Sequence, residues 1–336
     1  MLAPISWRVP PRHYGPWERV VSLLTEGLIE RGLDVTLFAT ADSVTSARLE
    51  AVCPRPLAED ESLDPKVWES LHIANAFEHA ARFDLIHNHY DFLPLTYSGL
   101  VSTPMLTTIH GFSSDRIKAV YRHYDGRTGY VSISDADRDP QLHYLATVYH
   151  GIDLAEFTPT ERPGRGLVFL GRIHPDKGVA EAIAVARAVD LPLVIAGIVH
   201  DRQYFEREVA PSVDGERVRY VGSLGPRDRD ELLGGAVALL HLVRFAEPFG
   251  LSMVEAMACG TPVIGFRRGS VTEIIDEGVT GFIVEDVAGA VEAVGRAAAL
   301  DRRMVRARVA ERFSRDRMVD DYLRVYENVV ARAQVS

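Results

Sequence analysis

Short apolar runs rich in β-branched residues alternate along this chain with segments whose apolar positions recur at helical spacing. In the first half MLAPI, DVTLFAT, DLIHNH, PMLTTIH, GYVSIS and ATVYHG read as strands, and WERVVSLLTEGLIERG is the clearest amphipathic helix between them. Strands separated by helices predict a parallel sheet covered by helices. A polar stretch, LAEFTPTERPGRG, follows at residues 154–166, and its Pro, Gly and Arg content reads as an interdomain linker. The pattern then restarts with LVFLG, LPLVIAG, VRYVGSL, VALLHLV, TPVIGFR and GFIVE as strands and VAEAIAVARAVD and LSMVEAMACG among the helices. Two doubly wound α/β units result. The final stretch, SRDRMVDDYLRVYENVVARA, carries Met318, Tyr322, Val325, Tyr326 and Val329 on one helical stripe. No strand follows it, so this helix is expected to pack across a domain surface.

Composition narrows the function classes. A chain of 336 residues, 47% hydrophobic and 25% charged, has room for two ordinary globular cores. It contains no apolar run of about 18 residues, and its first residues have neither a basic region nor a small-residue cleavage site. A cytoplasmic protein is expected, without integral membrane association. Cys53 and Cys259 are the only cysteines, one in each half, which indicates neither a disulfide framework nor a cysteine metal site. The formal charge of -10 argues against broad nucleic-acid binding. Any anion must be held by local groups.

Two strand-loop-helix segments of the second half carry such groups. After LVFLG come Arg172, Ile173, His174, Pro175, Asp176, Lys177 and Gly178, then a helix. Fixed cations beside helix N-terminal amides can clamp a phosphate, although a solvated surface loop would read the same way. Lysine is scarce here, three against 34 arginines, which makes Lys177 the less expected cation. Neither a Walker loop nor a G-x-G-x-x-G occurs, which removes the main support for an ATPase or a dinucleotide oxidoreductase. After VALLHLV comes RFAEPFG and a helix starting near Gly250. Gly250 allows close backbone approach, and the N–H groups of Phe249, Gly250 and Leu251 face the loop. Glu247 precedes that helix, and Glu255 sits one turn into it, where a side chain leans back towards the N-terminus. Taken alone, such a pair also reads as a solvated loop residue and a favourable charge at a positive helix end.

These residues in this order resemble glycosyltransferase family 4, the retaining nucleotide-sugar-dependent enzymes. The resemblance spans nearly the whole chain: PPRHYGPWERVVSLLTEGLIERGLDVTLFAT, TTIHG, HGID, FLGRIHPDKG and, most specifically, EPFGLSMVEAMACGTPVIGFRRGSVTEIIDEGVTGFIV. It implies a GT-B fold: two Rossmann-like domains facing a central cleft, with the C-terminal helix crossing back to the first. The expected domains are 1–157 on the acceptor side, 158–318 binding the nucleotide sugar, and a helix at 319–336. The resemblance makes Arg172 and Lys177 ligands of the donor diphosphate and gives Glu255 the ribose hydroxyls. It gives Glu247 the hydroxyls of the transferred sugar, helped by the amides of Phe249, Gly250 and Leu251. It also places His110 at that sugar and Gly15 at the donor phosphate. His110, Glu247, Arg172 and Lys177 are the expected catalytic set.

Two positions depart from the family pattern. Pro16 stands where a second glycine is usual and has no N–H to give a phosphate, although it suits a first helical turn. His150 in HGID stands where Asn is usual, and no role is assigned to it. Acceptor-side candidates are Arg12, His13 and Tyr14 in the first loop and His89 and Tyr90 in IHNHYDFLP. The H-N-H spacing at 87 and 89 is taken to put those two side chains on opposite faces of a strand, against a shared metal. The acidic triplets in DADRD (135–139) and DRD (228–230) are expected to start helices rather than hold a metal. Neither a metal nor a cofactor is expected, the nucleotide sugar being a co-substrate.

The implied reaction moves a hexosyl group from a nucleoside diphosphate, UDP-glucose first and GDP-mannose second, to a hydroxyl of a sugar, lipid-linked or small-molecule acceptor. Anomeric configuration is retained, and hinge closure at the linker is expected to assemble the site. Alternatives are an epimerase or sugar phosphorylase of the same fold, or a nucleotide- or carbohydrate-binding protein without turnover.

Overall fold

The structure, a computed structural model, describes residues 1–162 and 164–335. The chain divides into two compact units, residues 1–151 with 315–336 and residues 152–314.

In the first unit four parallel strands, β3 (Ile86–Asn88), β4 (Met105–Ile109), β5 (Gly129–Ser132) and β6 (Tyr144–Thr147), lie in that order. Two more, β1 (Thr36–Phe38) and β2 (Arg48–Glu50), pair beside them. The N-terminal run MLAPI contributes single bridges: Leu2 pairs with Phe38 on one side and Asn88 on the other. It thus joins the two groups of strands. β2 is short and only partly buried, so it lacks the apolar signal by which its neighbours are recognised. Helix Pro16–Glu30 starts with Pro16 in its first turn and buries Val20, Val21, Leu24 and Leu28. The last helix, Arg315–Val335, also belongs to this unit: Met318, Val319 and Tyr322 are fully buried, and Arg317 donates to the carbonyl of Tyr149.

The second unit holds one six-stranded parallel sheet of β7 (Gly166–Leu170), β8 (Leu193–Ala196), β9 (Val218–Tyr220), β10 (Ala236–His241), β11 (Val263–Phe266) and β12 (Gly281–Val284). Its order is β12-β11-β10-β7-β8-β9. Every residue of β10 is buried, as a central parallel strand covered on both faces requires. The order reverses between β7 and β10, and the crevice at the carboxyl ends of such a pair is where open α/β sheets bind ligands.

The stretch read as a linker lies just after the boundary between the units and packs on the second. Phe157 is buried and its carbonyl accepts from Arg306, the Thr158 N–H donates to Asp230 at 2.8 Å, and the Thr160 carbonyl accepts from Arg302 at 2.6 Å. Its polar backbone is satisfied by two arginines and an aspartate of that unit. Pro163 in that stretch lies outside the described residues. The acidic run 135–139 starts no helix, because Pro140 disfavours helical geometry at Asp139. Asp139 instead accepts from the Gln141 N–H at 2.9 Å and from Arg122 at 3.1 Å. DRD at 228–230 does lie in the first turns of helix Pro226–Gly234.

Candidate active site

The second unit brings its two candidate strand-loop-helix segments together at the reversal of its sheet. Arg172 and Lys177 follow β7, Glu247 follows the neighbouring β10, and Lys177 Nζ donates to Glu247 Oε2 at 2.5 Å. Lys177 also lies over the Phe245 ring, 4.6 Å from its centroid. Arg172, half-buried, has no hydrogen bond or ion pair among the described residues. A cation held by a carboxylate and an uncommitted guanidinium thus both follow β7 at the reversal of the sheet.

Helix Leu251–Ala258 begins at Gly250, whose φ of 81° lies in the left-handed region. A Cβ there would meet Met253 Cε at 2.6 Å and His241 Nε2 at 3.2 Å, but it is the backbone conformation that requires glycine. Phe249 is a core side chain, edge-on to Phe313 at 5.9 Å, which leaves its backbone as the part near the loop. Leu251 opens the helix. Glu255, 5% exposed, pairs with Arg229 at 3.3 Å. Both carboxylates assigned to hydroxyl groups are therefore held by cations.

Arg229 and His241 were not expected here. His241 ends β10, with Nε2 3.8 Å from Glu247 and Nδ1 3.4 Å from Ser252 Oγ. Burial lowers its pKa to about 4 despite the nearby carboxylate, so it is neutral at pH 7. Its place at the end of a strand leading to Glu247 was a usable signal. Arg229 lies within DRD, between two aspartates.

In the first unit, Gly15 has φ 146°, and a Cβ on it would lie 2.8 Å from Pro11 Cβ. Glu18, next to it in the first helical turn, is buried, and its pKa rises to about 7 through desolvation, opposed by the Trp7 and Glu18 N–H groups. His110 follows β4 and is 6% exposed. Its Nε2 meets His89 Nδ1 at 2.9 Å, its Nδ1 meets His150 Nε2 at 3.3 Å, and Trp17 stacks on its face at 5.2 Å. Trp17, Glu18 and His150 carried no expected role.

The acceptor-side candidates separate. Arg12 is tied to Asp42 at 3.1 Å and Glu59 at 2.6 Å, His13 is exposed, and Tyr14 lies edge-on to Trp7 at 6.0 Å. His89 is fully buried, and Tyr90 sits in the core with its pKa raised by burial. The opposite-face expectation for His87 and His89 is wrong, because residues two apart share one face of a strand. Their rings are 4.0 Å apart. Among the described residues no group of three or more His, Cys, Asp or Glu is arranged to hold a metal ion, and no helix is long and apolar enough to cross a membrane.

Comparisons with known proteins agree with this division. Residues 17–156 match the model of Glycosyltransferase Family 4, and residues 158–308 that of Glycosyl transferases group 1. The D-inositol 3-phosphate glycosyltransferase of Arthrobacter sp. (strain FB24) is 28% identical over 79% of this chain and 77% of its own. Among solved structures, AviGT4, a glycosyltransferase involved in avilamycin A biosynthesis, superposes with a TM-score of 0.73 at 24% identity over 97% of this chain and 93% of its own. Anabaena HepE in complex with UDP and glucose gives a TM-score of 0.74 at 16% identity over 93% of this chain and 96% of its own. These likenesses show a two-domain, Rossmann-like GT-B fold.

Proposed function

The chain belongs to glycosyltransferase family 4, and on that premise we propose that it is a retaining hexosyltransferase using a nucleoside diphosphate sugar, UDP-glucose first and GDP-mannose second. The observation that carries this reading is the convergence of Arg172, Lys177 and Glu247 where the second sheet reverses, with Glu255 one turn into the next helix.

The chemistry follows from the charges. A donor diphosphate offers Lys177 a stronger anionic partner than Glu247 alone, and Arg172 is uncommitted. Once Lys177 turns to phosphate, the Glu247 carboxylate accepts from sugar hydroxyls, and Glu255 accepts from the ribose. As the glycosidic bond breaks, negative charge grows on the leaving oxygens, so cations already in place stabilise the transition state more than the ground state. The leaving phosphate takes the proton of an acceptor hydroxyl attacking from the same face, which retains the anomer. The acceptor is a hydroxyl of a sugar, a lipid-linked glycan or a small molecule. A solved relative of this fold that holds UDP and glucose supports UDP-glucose as the first donor to test. The same reading puts the enzyme in the cytoplasm, and two buried, free cysteines suit a reducing compartment.

The test is incubation with UDP-, GDP- and ADP-sugars, with and without an acceptor panel. Acceptor-dependent release of the nucleoside diphosphate, with a retained anomer by NMR, is the expected result. Binding without release across the panel, or an inverted anomer, refutes the activity or the stereochemistry respectively.

A further inference from the structure

His241 is buried beside the candidate donor groups with its hydrogen bonding incomplete. It closes β10, in which every other residue is apolar, and it is 6% exposed. Its Nδ1 lies 3.4 Å from Ser252 Oγ, whereas Nε2 has no hydrogen-bond partner among the described residues. The Nε2 edge of the ring lies against Gly250, at the start of helix Leu251–Ala258: a Cβ placed on that glycine would be 3.2 Å from Nε2 and 3.3 Å from Cε1. Glu247 Oε2 is 3.8 Å from Nε2, just beyond hydrogen-bond reach. A buried ring nitrogen without a partner costs stability, and one beside a candidate ligand site calls for a partner gained in another state.

The same carboxylate oxygen is held by Lys177, so Oε2 has an ammonium at 2.5 Å on one side and an imidazole at 3.8 Å on the other. The bond from Lys177 is the hydrogen bond that the Glu247 carboxylate makes among the described residues, and this side chain is 11% exposed. Withdrawing Lys177 would therefore leave a buried charge with neither cation nor hydrogen bond. The Ser252 hydroxyl can give or accept a hydrogen and fits either neutral form of the ring, whereas a carboxylate only accepts. Lys177 gives its hydrogen to Glu247 and not to the ring. Hydrogen on Nε2 is thus the form that avoids turning a lone pair towards Oε2.

We propose that His241 is a positioning residue that takes over Glu247 from Lys177 when a diphosphate draws the lysine away. Closing the gap from 3.8 Å to an ordinary N–H···O length needs a movement of less than about 1 Å. The carboxylate then keeps a donor on one lone pair and presents the others to ligand hydroxyls. His241 keeps Ser252 on Nδ1 in both states. The identity of the anion rests on the glycosyl-transfer reading, whereas the exchange of partners on Glu247 does not.

The exchange is tested without ligand in Lys177→Met, which removes the ammonium and keeps an apolar stem beside Phe245, and with ligand in the unmodified protein saturated with UDP. Long-range ¹⁵N–¹H correlation on histidine-labelled protein at pH 7.5 reads the hydrogen on each nitrogen of His241. The free protein is expected to carry it on Nε2. In Lys177→Met, and with UDP, the Nε2 proton is expected to move downfield and to exchange with water about 10-fold more slowly or less. Hydrogen on Nδ1 in the free protein, or an Nε2 proton unchanged in Lys177→Met or on UDP binding, overturns the proposal. Failure of UDP to bind refutes the donor reading, while Lys177→Met still decides the exchange. Should Lys177→Met not fold, inorganic pyrophosphate on the unmodified protein gives the same readout. In transfer assays His241→Leu is expected to lower kcat about 10-fold at nearly unchanged UDP affinity, and His241→Gln, which keeps an N–H near the Nε2 position, to recover most of that loss. His241→Leu is expected to add nothing to Glu247→Ala. Equal losses in both His241 variants, or a further fall in the Glu247→Ala background, make the role of the ring structural and overturn the proposal.

Discussion

Where the first unit buries His72, His87, His89, His110 and His150, the second encloses Lys177 with Glu247, Arg229 with Glu255, and Arg302 among carbonyls. The two solutions answer to different perturbations. Neutral imidazoles are stable only while they stay unprotonated. Charged pairs tolerate acid until a carboxylate protonates, and they fail when one partner is removed. The difference suits the proposed tasks, since cations would stand ready for a diphosphate whereas a sugar hydroxyl would need only a neutral donor or acceptor.

The largest expected effect is acid lability concentrated in the first unit, which buries five histidines of lowered pKa where the second buries His241. An unfolded histidine takes up a proton near pH 6.5, whereas folded His72 does so near 4 and His110 near 3. Between those values the unfolded chain binds more protons, so stability is full above about pH 6.5 and falls as pH drops. His72 alone is expected to cost about 3 kcal/mol across its window. Glu18, raised to about 7, has the opposite sign: its contribution is full below about 4.5 and is lost as pH rises through 7. On acidification, hydrogen exchange should show protection lost in β3 to β6 at a higher pH than in β7, β10 and β11. Simultaneous loss in both units breaks the comparison.

Next in size is removal of one partner from a buried pair. Arg229→Ala removes a buried cation 3.3 Å from Glu255 and is expected to destabilise the second unit by about 3 kcal/mol, read from thermal or urea unfolding. A negligible change would mean that solvent already screens the pair.

The two glutamates should separate binding from chemistry. Glu247→Ala is expected to lower kcat about 100-fold while nucleotide affinity stays near that of the unmodified protein. Glu255→Ala is expected to weaken nucleotide binding by about 10-fold or more, read by calorimetry. Equal loss of nucleotide affinity in both would undo the assignment of sugar to one and ribose to the other.

The smallest effect concerns packing in the first unit. A Cβ on Gly27 would lie 2.4 Å from Val319 Cγ2 of the last helix, so Gly27→Ala should cost about 1–3 kcal/mol without altering nucleotide affinity. A loss of nucleotide binding in that variant would show that the two units are less independent than their buried chemistry suggests.

Much of the fold was legible because parallel strands buried on both faces, such as β10 and β11, leave continuous apolar runs. β2 was not legible, being three residues long and partly exposed. Within the candidate site, Arg172, Lys177, Glu247 and Glu255 could be read because each lies in a strand-loop-helix segment with its own local signature. Their partners could not. Arg229 reaches Glu255 from another helix, and Lys177 and Glu247 are 70 positions apart.

By itself, the sequence determined the alternation that builds two parallel α/β units, the glycine that opens the helix after β10, and which residue types stand at the strand ends. Those are properties of neighbours along the chain, set by backbone sterics and hydrophobic period. The tertiary structure alone decided that Lys177 and Arg229 neutralise the two glutamates, that the supposed linker is pinned by arginines, and that four histidines lie in one line of ring contacts. Such pairings depend on which strand ends a sheet makes adjacent. The chain order conceals that adjacency, because β7 and β10 meet only after the strand order reverses between them.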